Sequence, residues 1–190
     1  MSVVVGSLSG VIASASKAEV RANRTFQAQV QGRVALNKLR RELHCANAIT
    51  VRSSSGSALA AGTAGAQIAI TLGGYCPTNG LTTVTTQSVY VTWCVRTSTA
   101  LNSRYALYRL ASLTSQPSCT TGGSMWADYI SASTPFCLPS TTAACSGIYK
   151  STTSLPTLHV DLPLSLNTTS ASTDRFNLAD DIALRNGVRS

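Results

Sequence analysis

Few side chains in this chain could do chemistry. The only two imidazoles belong to His44 and His159. His44 stands beside Cys45, and such a pair could form a nucleophilic thiolate. Both lie at the end of a proline-free stretch that we predict to be helical, where adjacent residues point in different directions. We therefore favour a disulfide role for Cys45, with His44 complementing the helix dipole.

Metal or phosphate chemistry has equally weak support. His159 and Asp161 are spaced to share one face of a strand, but two ligands make a poor metal site. Asp180 and Asp181 could bind calcium through their oxygens, although adjacent acids are more often a solvated turn. No phosphate-binding glycine loop occurs, and the GGS of residues 122–124 lacks a nucleophile elbow. We predict no catalytic, cofactor-binding or metal-binding residue and a protein that is not an enzyme.

The cysteines point instead to disulfides. The chain has six of them, and none is in a CxxC motif. An even count with almost no histidine favours disulfides in an oxidising compartment over zinc. Sequence alone leaves about 15 pairings open, and the one local expectation is a short loop closed between Cys137 and Cys145. The disulfide candidates are Cys45, Cys76, Cys94, Cys119, Cys137 and Cys145.

Charge is scarce and unevenly placed along the 190 residues. Charged residues make up 12% of the chain, and the net charge is +8. Residues 1–47 hold seven basic and two acidic residues, a net of +5. Low charge with abundant Ser and Thr favours a secreted or cell-surface β-rich protein. The basic segment could face anionic lipid, nucleic acid or an acidic partner, or simply be solvated.

Residues 1–47 lack proline and predict one long helical stalk, followed by a disulfide-rich β head over residues 48–190. Residues 2–15 are apolar but too short for a bilayer, which needs about 20 residues. Gly6 and Gly10 have the spacing that lets helices approach closely. We expect the chain to begin inside a longer apolar segment that assembles with other helices. The predicted assembly residues are Val3, Val4, Val5, Gly6, Leu8, Gly10, Val11 and Ile12.

The second half of the stalk is predicted to carry the head. Apolar or small residues recur there at steps of three and four, which makes one face of a helix. Phe26, Val30 and Val34 form a second line beside this face, so residues 25–45 are expected to pack on a core, while residues 16–25 project as a bare neck. The predicted head-packing face consists of Ala28, Gly32, Ala35, Leu36, Leu39 and Leu43.

The sequence of the head predicts a series of short strands. Alternating and β-branched runs predict strands at residues 48–52, 67–72, 87–96, 104–110 and 157–166. The third and fourth are expected to form an antiparallel hairpin. Pro163 predicts an edge position or a bulge in the last run. Residues 125–130 are predicted to form a helical turn, and residues 174–185 a closing strand pair.

The run LNKLRRELHCANAITV at residues 36–51 resembles the helix end of bacterial type IV minor pilins and type II secretion pseudopilins. The hairpin and FNLADDIALRN at residues 176–186 are similar to other parts of such prepilin-type proteins. The resemblance implies an α+β fold, in which a long N-terminal helix packs by its C-terminal half on an antiparallel sheet. The leader and the early glutamate of prepilins do not precede the stalk, which suggests a truncated N-terminus.

The resemblance implies a structural minor subunit of a type IV pilus-like or type II secretion-like filament. Its partners would be other pilin or pseudopilin subunits, and a membrane would anchor the helix before assembly. A DNA-uptake variant would use Arg52, Arg96, Arg104 and Arg109 on phosphates. An alternative from another class is a secreted adhesin or carbohydrate-binding module. Its stacking platform would be the aromatic group of Tyr90, Trp93, Tyr105 and Tyr108.

Overall fold

The computed structural model describes residues 2–74, 76, 87–97, 104–139, 145, 157–166 and 175–184. The side chains of residues 2–9 and of Arg175 are outside this description. Within it, the chain forms one long helix followed by a large antiparallel sheet.

Helix α1 spans Ser2–His44, a length of about 65 Å at 1.5 Å per residue. It ends in a tighter turn, where the backbone N–H of Cys45 donates to the carbonyl of Glu42 at 3.2 Å. Arg41 and His44 occupy the last turn, where positive charge complements the helix dipole. The helix stops because β-branched residues follow and the chain pairs at once as a strand.

In the described part of the chain, the sheet contains nine strands. Its strands are β1 (Ala46–Arg52), β2 (Ala64–Gly65), β3 (Gln67–Leu72), β4 (Val89–Thr97), β5 (Tyr105–Ser112), β6 (Ser124–Ile130), β7 (Phe136–Cys137), β8 (Thr157–Ser165) and β9 (Arg175–Ala183). Hydrogen-bonded neighbours follow the order β1-β3-β4-β5-β6-β8-β7-β2, and β9 pairs with β8. Every pairing is antiparallel. The predicted hairpin of β4 and β5 is confirmed by a continuous register from Tyr90↔Ser112 to Thr97↔Tyr105.

The two ends of this sheet approach each other. Beyond the paired strands, the N–H of Leu59 donates to the carbonyl of Val51 in β1 at 2.9 Å. Gly65 of β2 passes so close that an added Cβ would lie 2.5 Å from the carbonyl oxygen of Arg52. Only glycine fits this approach. The sheet therefore bends round until it is nearly closed.

This architecture corrects the predicted fold class. The protein is β-rich, with one helix and a large, nearly closed sheet, and the α+β pilin-like head is wrong. Part of the reason lies in residues 125–130, which were expected to form a helical turn. They belong to β6, which pairs with β5. Together with β7, this strand continues the sheet through a region that shows little periodicity in sequence.

Strand β8 also differs from its prediction. It is not an edge, because β6 and β7 pair with one side and β9 pairs with the other. The carbonyl of Pro163 accepts the N–H of Ser131 at 2.8 Å, in the gap between β6 and β7. Because the N–H and C=O of one strand residue point the same way, the N–H that proline lacks would also face this gap. Residues 175–183 form one strand instead of the predicted pair.

The main core lies between α1 and the sheet. Its largest fully buried side chains include Trp93, Phe136, Leu39, Ile70 and Leu162. Burial of this apolar surface stabilises the fold at about 25 cal/mol per Å². A smaller cluster of Cys94, Leu110 and Cys119 lies on the other face of the β4–β5 hairpin, because alternate strand residues point to opposite faces. The loop that carries Cys119 covers that face.

Candidate assembly helix and its junction with the head

Small residues bring α1 close to the sheet. Ala28 and Ala35 are fully buried, and Gly32 lies between them. A Cβ at Gly32 would meet Leu178 of β9 at 2.5 Å and Leu164 of β8 at 3.3 Å. The larger Leu36, Leu39 and Leu43 are also buried in the core. All six residues of the predicted head-packing face thus lie against the head.

A buried ionic cluster stabilises this junction near the C-terminal end of α1. Glu42 of α1 is only 2% exposed. Its Oε2 accepts the indole N–H of Trp93 at 2.7 Å, and its Oε1 accepts Nε of Arg109 at 2.8 Å. Nζ of Lys38 lies 3.4 Å from the same Oε1. One carboxylate therefore ties the helix to two neighbouring strands, since Trp93 and Arg109 are partners across β4 and β5.

The cluster contains two cations for one anion. Lys38 is 3% exposed, and burial lowers the pKa of its ammonium below the usual value of 10.5. Glu42 opposes this shift, whereas Arg109 and Arg41 add to it. Burial disfavours the charged form of a lysine unless a partner compensates fully. Glu42 does not compensate fully here, because it is shared with Arg109.

The cluster of Glu42, Lys38 and Arg109 was not predicted from the sequence. One signal was present, since Lys38 and Glu42 are four residues apart and both fall beside the predicted head-packing face. Charged residues beside an apolar stripe are usually solvated. Only the position of Arg109 in the sheet shows why they are buried.

A second ion pair joins the helix to β9. Nη2 of Arg40 lies 2.7 Å from Oδ2 of Asp180. Asp181 points the other way and lies 2.7 Å from Nδ1 of His159. The two acids cannot share a calcium ion, because successive strand residues face opposite sides. His159 pairs with Asp181 across the strands, and not with Asp161 as the metal hypothesis required.

The lower part of α1 is exposed among the described residues, and Phe176 of β9 lines a cleft along it. Residues 10–24 are exposed throughout. Val11 and Ile12 are 64% and 59% exposed, and a Cβ at Gly10 would meet nothing within 4 Å. The remaining predicted assembly residues lie in the same helix, but their side chains are outside the described part. Those are Val3, Val4, Val5, Gly6 and Leu8.

The outer line, formed by Phe26, Val30 and Val34, is also exposed to solvent. These residues are 67%, 43% and 50% exposed. The expectation that they pack beside the head face is wrong. Val30 is two residues from Ala28 and Gly32, a rotation of about 200° at 100° per residue, so the outer line points away from the head.

Three disulfides hold the head. They join Cys45 to Cys76, Cys94 to Cys119 and Cys137 to Cys145. The first ties the end of α1 to the segment after β3. Cys45 is therefore not a nucleophile beside His44. Disulfides persist in oxidising environments, and these three indicate an extracellular or cell-envelope protein.

The four arginines of the DNA-uptake hypothesis do not form one cationic surface. Arg109 is engaged with Glu42 in the core junction. Arg96 stacks 3.7 Å above the ring of Tyr108 and donates to the carbonyls of Cys119 and Gly122. Arg104 donates to the carbonyl of Leu166. Arg52 has its Nε buried. The guanidinium group of Arg109 thus binds α1, whereas those of Arg96 and Arg104 bind other parts of the head.

The aromatic platform of the carbohydrate hypothesis is likewise divided. Trp93 is fully buried and tilted against Trp126, with ring centroids 5.6 Å apart. Tyr105 packs against the core, and Tyr108 lies under Arg96. Tyr90 and Trp93 have different parity in β4, so they point to opposite faces. These four rings present no common stacking surface.

Comparison of the chain with protein-family models, with characterised proteins and with solved structures gave no match. Within the described residues, α1 contains no stretch long and apolar enough to cross a bilayer.

Proposed function

We propose that this protein is a structural subunit of an extracellular or cell-envelope filament, of the type IV pilus-like or type II secretion-like kind, and that it assembles through the lower part of α1. The observation that carries the proposal is the division of the helix. Residues 28–43 are anchored in the head, whereas residues 10–24 are exposed and include Val11 and Ile12.

A projecting helix of this composition gains little stability by itself. Isolated helices shorter than about 15 residues are marginal in water. The first turn has no acidic residue, and Lys17 and Arg21 are like charges at a spacing of four residues. Packing against neighbouring helices would bury Val11, Ile12 and the apolar residues before them. That burial would stabilise both the helix and the assembly.

The rigid head supports the same role. Three disulfides and a nearly closed sheet stabilise the loop-rich head against unfolding outside the cell. The ionic cluster at Glu42 and the ion pair of Arg40 with Asp180 fix the direction in which the helix leaves the head. A fixed exit direction lets successive subunits pack in a repeating manner.

The test is incorporation into filaments in the producing organism. Filaments sheared from the cells should contain the wild-type protein. A Val11→Asp/Ile12→Asp variant should remain cell-associated with its head folded, because charges would then have to be buried between helices. The matched control is Met125→Asp, at a head position that is 53% exposed, and it should enter filaments normally.

Two results would contradict the proposal. One is a sheared fraction that lacks the wild-type protein although filaments are present. The other is normal incorporation of the Val11→Asp/Ile12→Asp variant. Protection of all three disulfides from alkylation, measured by mass spectrometry on non-reduced protein, establishes that a variant which fails to assemble still has a folded head.

A further inference from the structure

The face of α1 that points away from the head carries a self-complementary pattern centred on Val30. Successive steps of four, three and four residues are taken from Val30 toward the N-terminus. They reach first an apolar residue, then one with an amide side chain, and then an acidic one. The same steps toward the C-terminus lead to an apolar, an amide and a basic residue. The residues are Phe26, Asn23 and Glu19 in one direction, and Val34, Asn37 and Arg41 in the other.

All seven side chains are exposed. At 100° per residue they fall within an arc of about 80° on the helix surface. The head occupies the opposite side, through Ala28, Ala35 and Leu39. Among the described residues, about six turns of this face are therefore exposed and open to a second helix.

We propose that this face is a two-fold interface with a second copy of the chain, in which two α1 helices pack antiparallel with Val30 at the axis. In that arrangement Phe26 of each copy lies opposite Val34 of the other. Asn23 lies opposite Asn37, and Glu19 lies opposite Arg41. Each contact occurs twice, as an isologous interface requires.

The antiparallel direction follows from charge. In a parallel pair at the same register, Glu19 would face Glu19 and Arg41 would face Arg41, and like charges repel. The antiparallel pair converts both contacts into ion pairs. The facing Asn23 and Asn37 select this register, because an amide between helices is satisfied only opposite another polar group. The outer line supplies the apolar contact between the two helices.

The overall charge of the protein opposes dimerisation only weakly. Two chains of net charge +8 repel each other, but salt screens this repulsion beyond about 8 Å at physiological ionic strength. The contacts of Glu19 with Arg41 act within that distance. A two-fold dimer is closed and does not propagate. It covers the outer line in the unassembled protein and does not depend on the filament proposal.

Site-specific cross-linking tests the geometry. Single cysteines are introduced as Val30→Cys, Phe26→Cys or Val34→Cys, and a short bismaleimide reagent is added under non-reducing conditions. Val30→Cys should form a cross-linked dimer by itself. Phe26→Cys and Val34→Cys should form one efficiently only when the two variants are mixed. Met125→Cys, on the exposed surface of β6, is the control and should stay monomeric.

Each alternative cross-linking pattern overturns the inference. If every helix variant cross-links to itself, the helices are parallel, which leaves the filament proposal standing. If no helix variant yields more dimer than Met125→Cys, the face is not an interface with a second copy. The filament proposal is judged separately, on sheared filaments.

Charge exchange tests the register independently, by sedimentation equilibrium. Glu19→Arg or Arg41→Glu alone should weaken the dimer by about tenfold, because each places two pairs of like charges in contact. The double variant should restore the wild-type affinity, and a mixture of the two single variants should form a heterodimer. Lys17→Glu changes the net charge as Arg41→Glu does but lies off this face, so it should leave the dimer intact. Failure of the double variant to restore association would refute the proposed register.

Discussion

At the scale of single residues, Glu42 joins the helix to two strands of the head. Its carboxylate binds Trp93, Arg109 and Lys38 at once, in a site that is almost fully buried. A buried pair of this kind is weak evidence of net stabilisation, but removal of one partner is costly. The cost arises because the remaining charges stay buried without compensation.

We predict that Glu42→Gln lowers the free energy of unfolding by about 3–5 kcal/mol. The amide would leave the charges of Lys38 and Arg109 buried together. Urea unfolding followed by tryptophan fluorescence measures the change, since Trp93 lies in the cluster. The control is Lys17→Gln, at an exposed helix position off the proposed dimer face, which should change stability by less than about 0.5 kcal/mol. Equal effects of the two substitutions would show that the cluster contributes nothing specific.

A second prediction for a single residue concerns Lys38 and the pH dependence of the free energy of unfolding. Its pKa in the folded protein lies below the usual 10.5, so the unfolded chain binds more protons between these two values. The free energy of unfolding contributed by Lys38 therefore rises with pH in that window. Lys38→Met removes the contribution. The wild type should gain stability relative to Lys38→Met as the pH rises toward 10.5, and a constant difference in urea unfolding would contradict the lowered pKa.

At the scale of elements, the packing of α1 on β8 and β9 depends on the helix face that carries small residues. Gly32 lets the helix approach Leu178 and Leu164. An added methyl group would meet the end of a flexible leucine, which can move. A branched side chain would need more space than that movement provides.

We therefore predict that Gly32→Val destabilises the protein by about 1–3 kcal/mol through overpacking. Gly32→Ala should cost much less, since the gain in helix propensity of about 1 kcal/mol offsets the displacement of Leu178. Thermal unfolding of the two variants measures the difference. Gly10→Ala is the control for propensity alone, because nothing lies within 4 Å of its Cβ position. A neutral Gly32→Val would show that the helix can move away from the sheet.

At the scale of the whole molecule, the nearly closed sheet and the three disulfides act together. The sheet brings the early strands β1 and β2 beside each other, and the disulfides restrict loops around it. Two of them span 31 and 25 residues, and the third spans only 8. In the loop-entropy account, a longer loop loses more freedom in the unfolded chain when it is closed.

Replacing a disulfide by a pair of alanines should cost more where the closed loop is longer. Removal of Cys45–Cys76 should cost about 3–4 kcal/mol and removal of Cys137–Cys145 about 2–3 kcal/mol. Guanidinium unfolding of the two double variants measures both. The Cys45–Cys76 variant should also loosen the end of α1, seen as faster amide exchange in its last turn. A larger cost for the shorter loop would show that native-state packing, and not loop entropy, dominates.

Local patterns in the sequence determined several elements. The absence of proline and the spacing of Ala28, Leu36, Leu39 and Leu43 were enough to predict a long helix with one buried face. Alternation predicted β3, β4 and β5 within a residue or two of their observed bounds. These signals are local, because they come from residues within one helix face or one strand.

Only the tertiary structure decided how these elements combine. The nearly closed sheet depends on pairings of β6, β7 and β2, which are short and lack a period. The burial of Glu42 depends on Arg109, which is 67 residues away in the chain. The exposure of Phe26, Val30 and Val34 depends on which of two apolar helix faces the sheet covers. Sequence periodicity shows that a face is apolar, but its partner is set by contacts between distant segments.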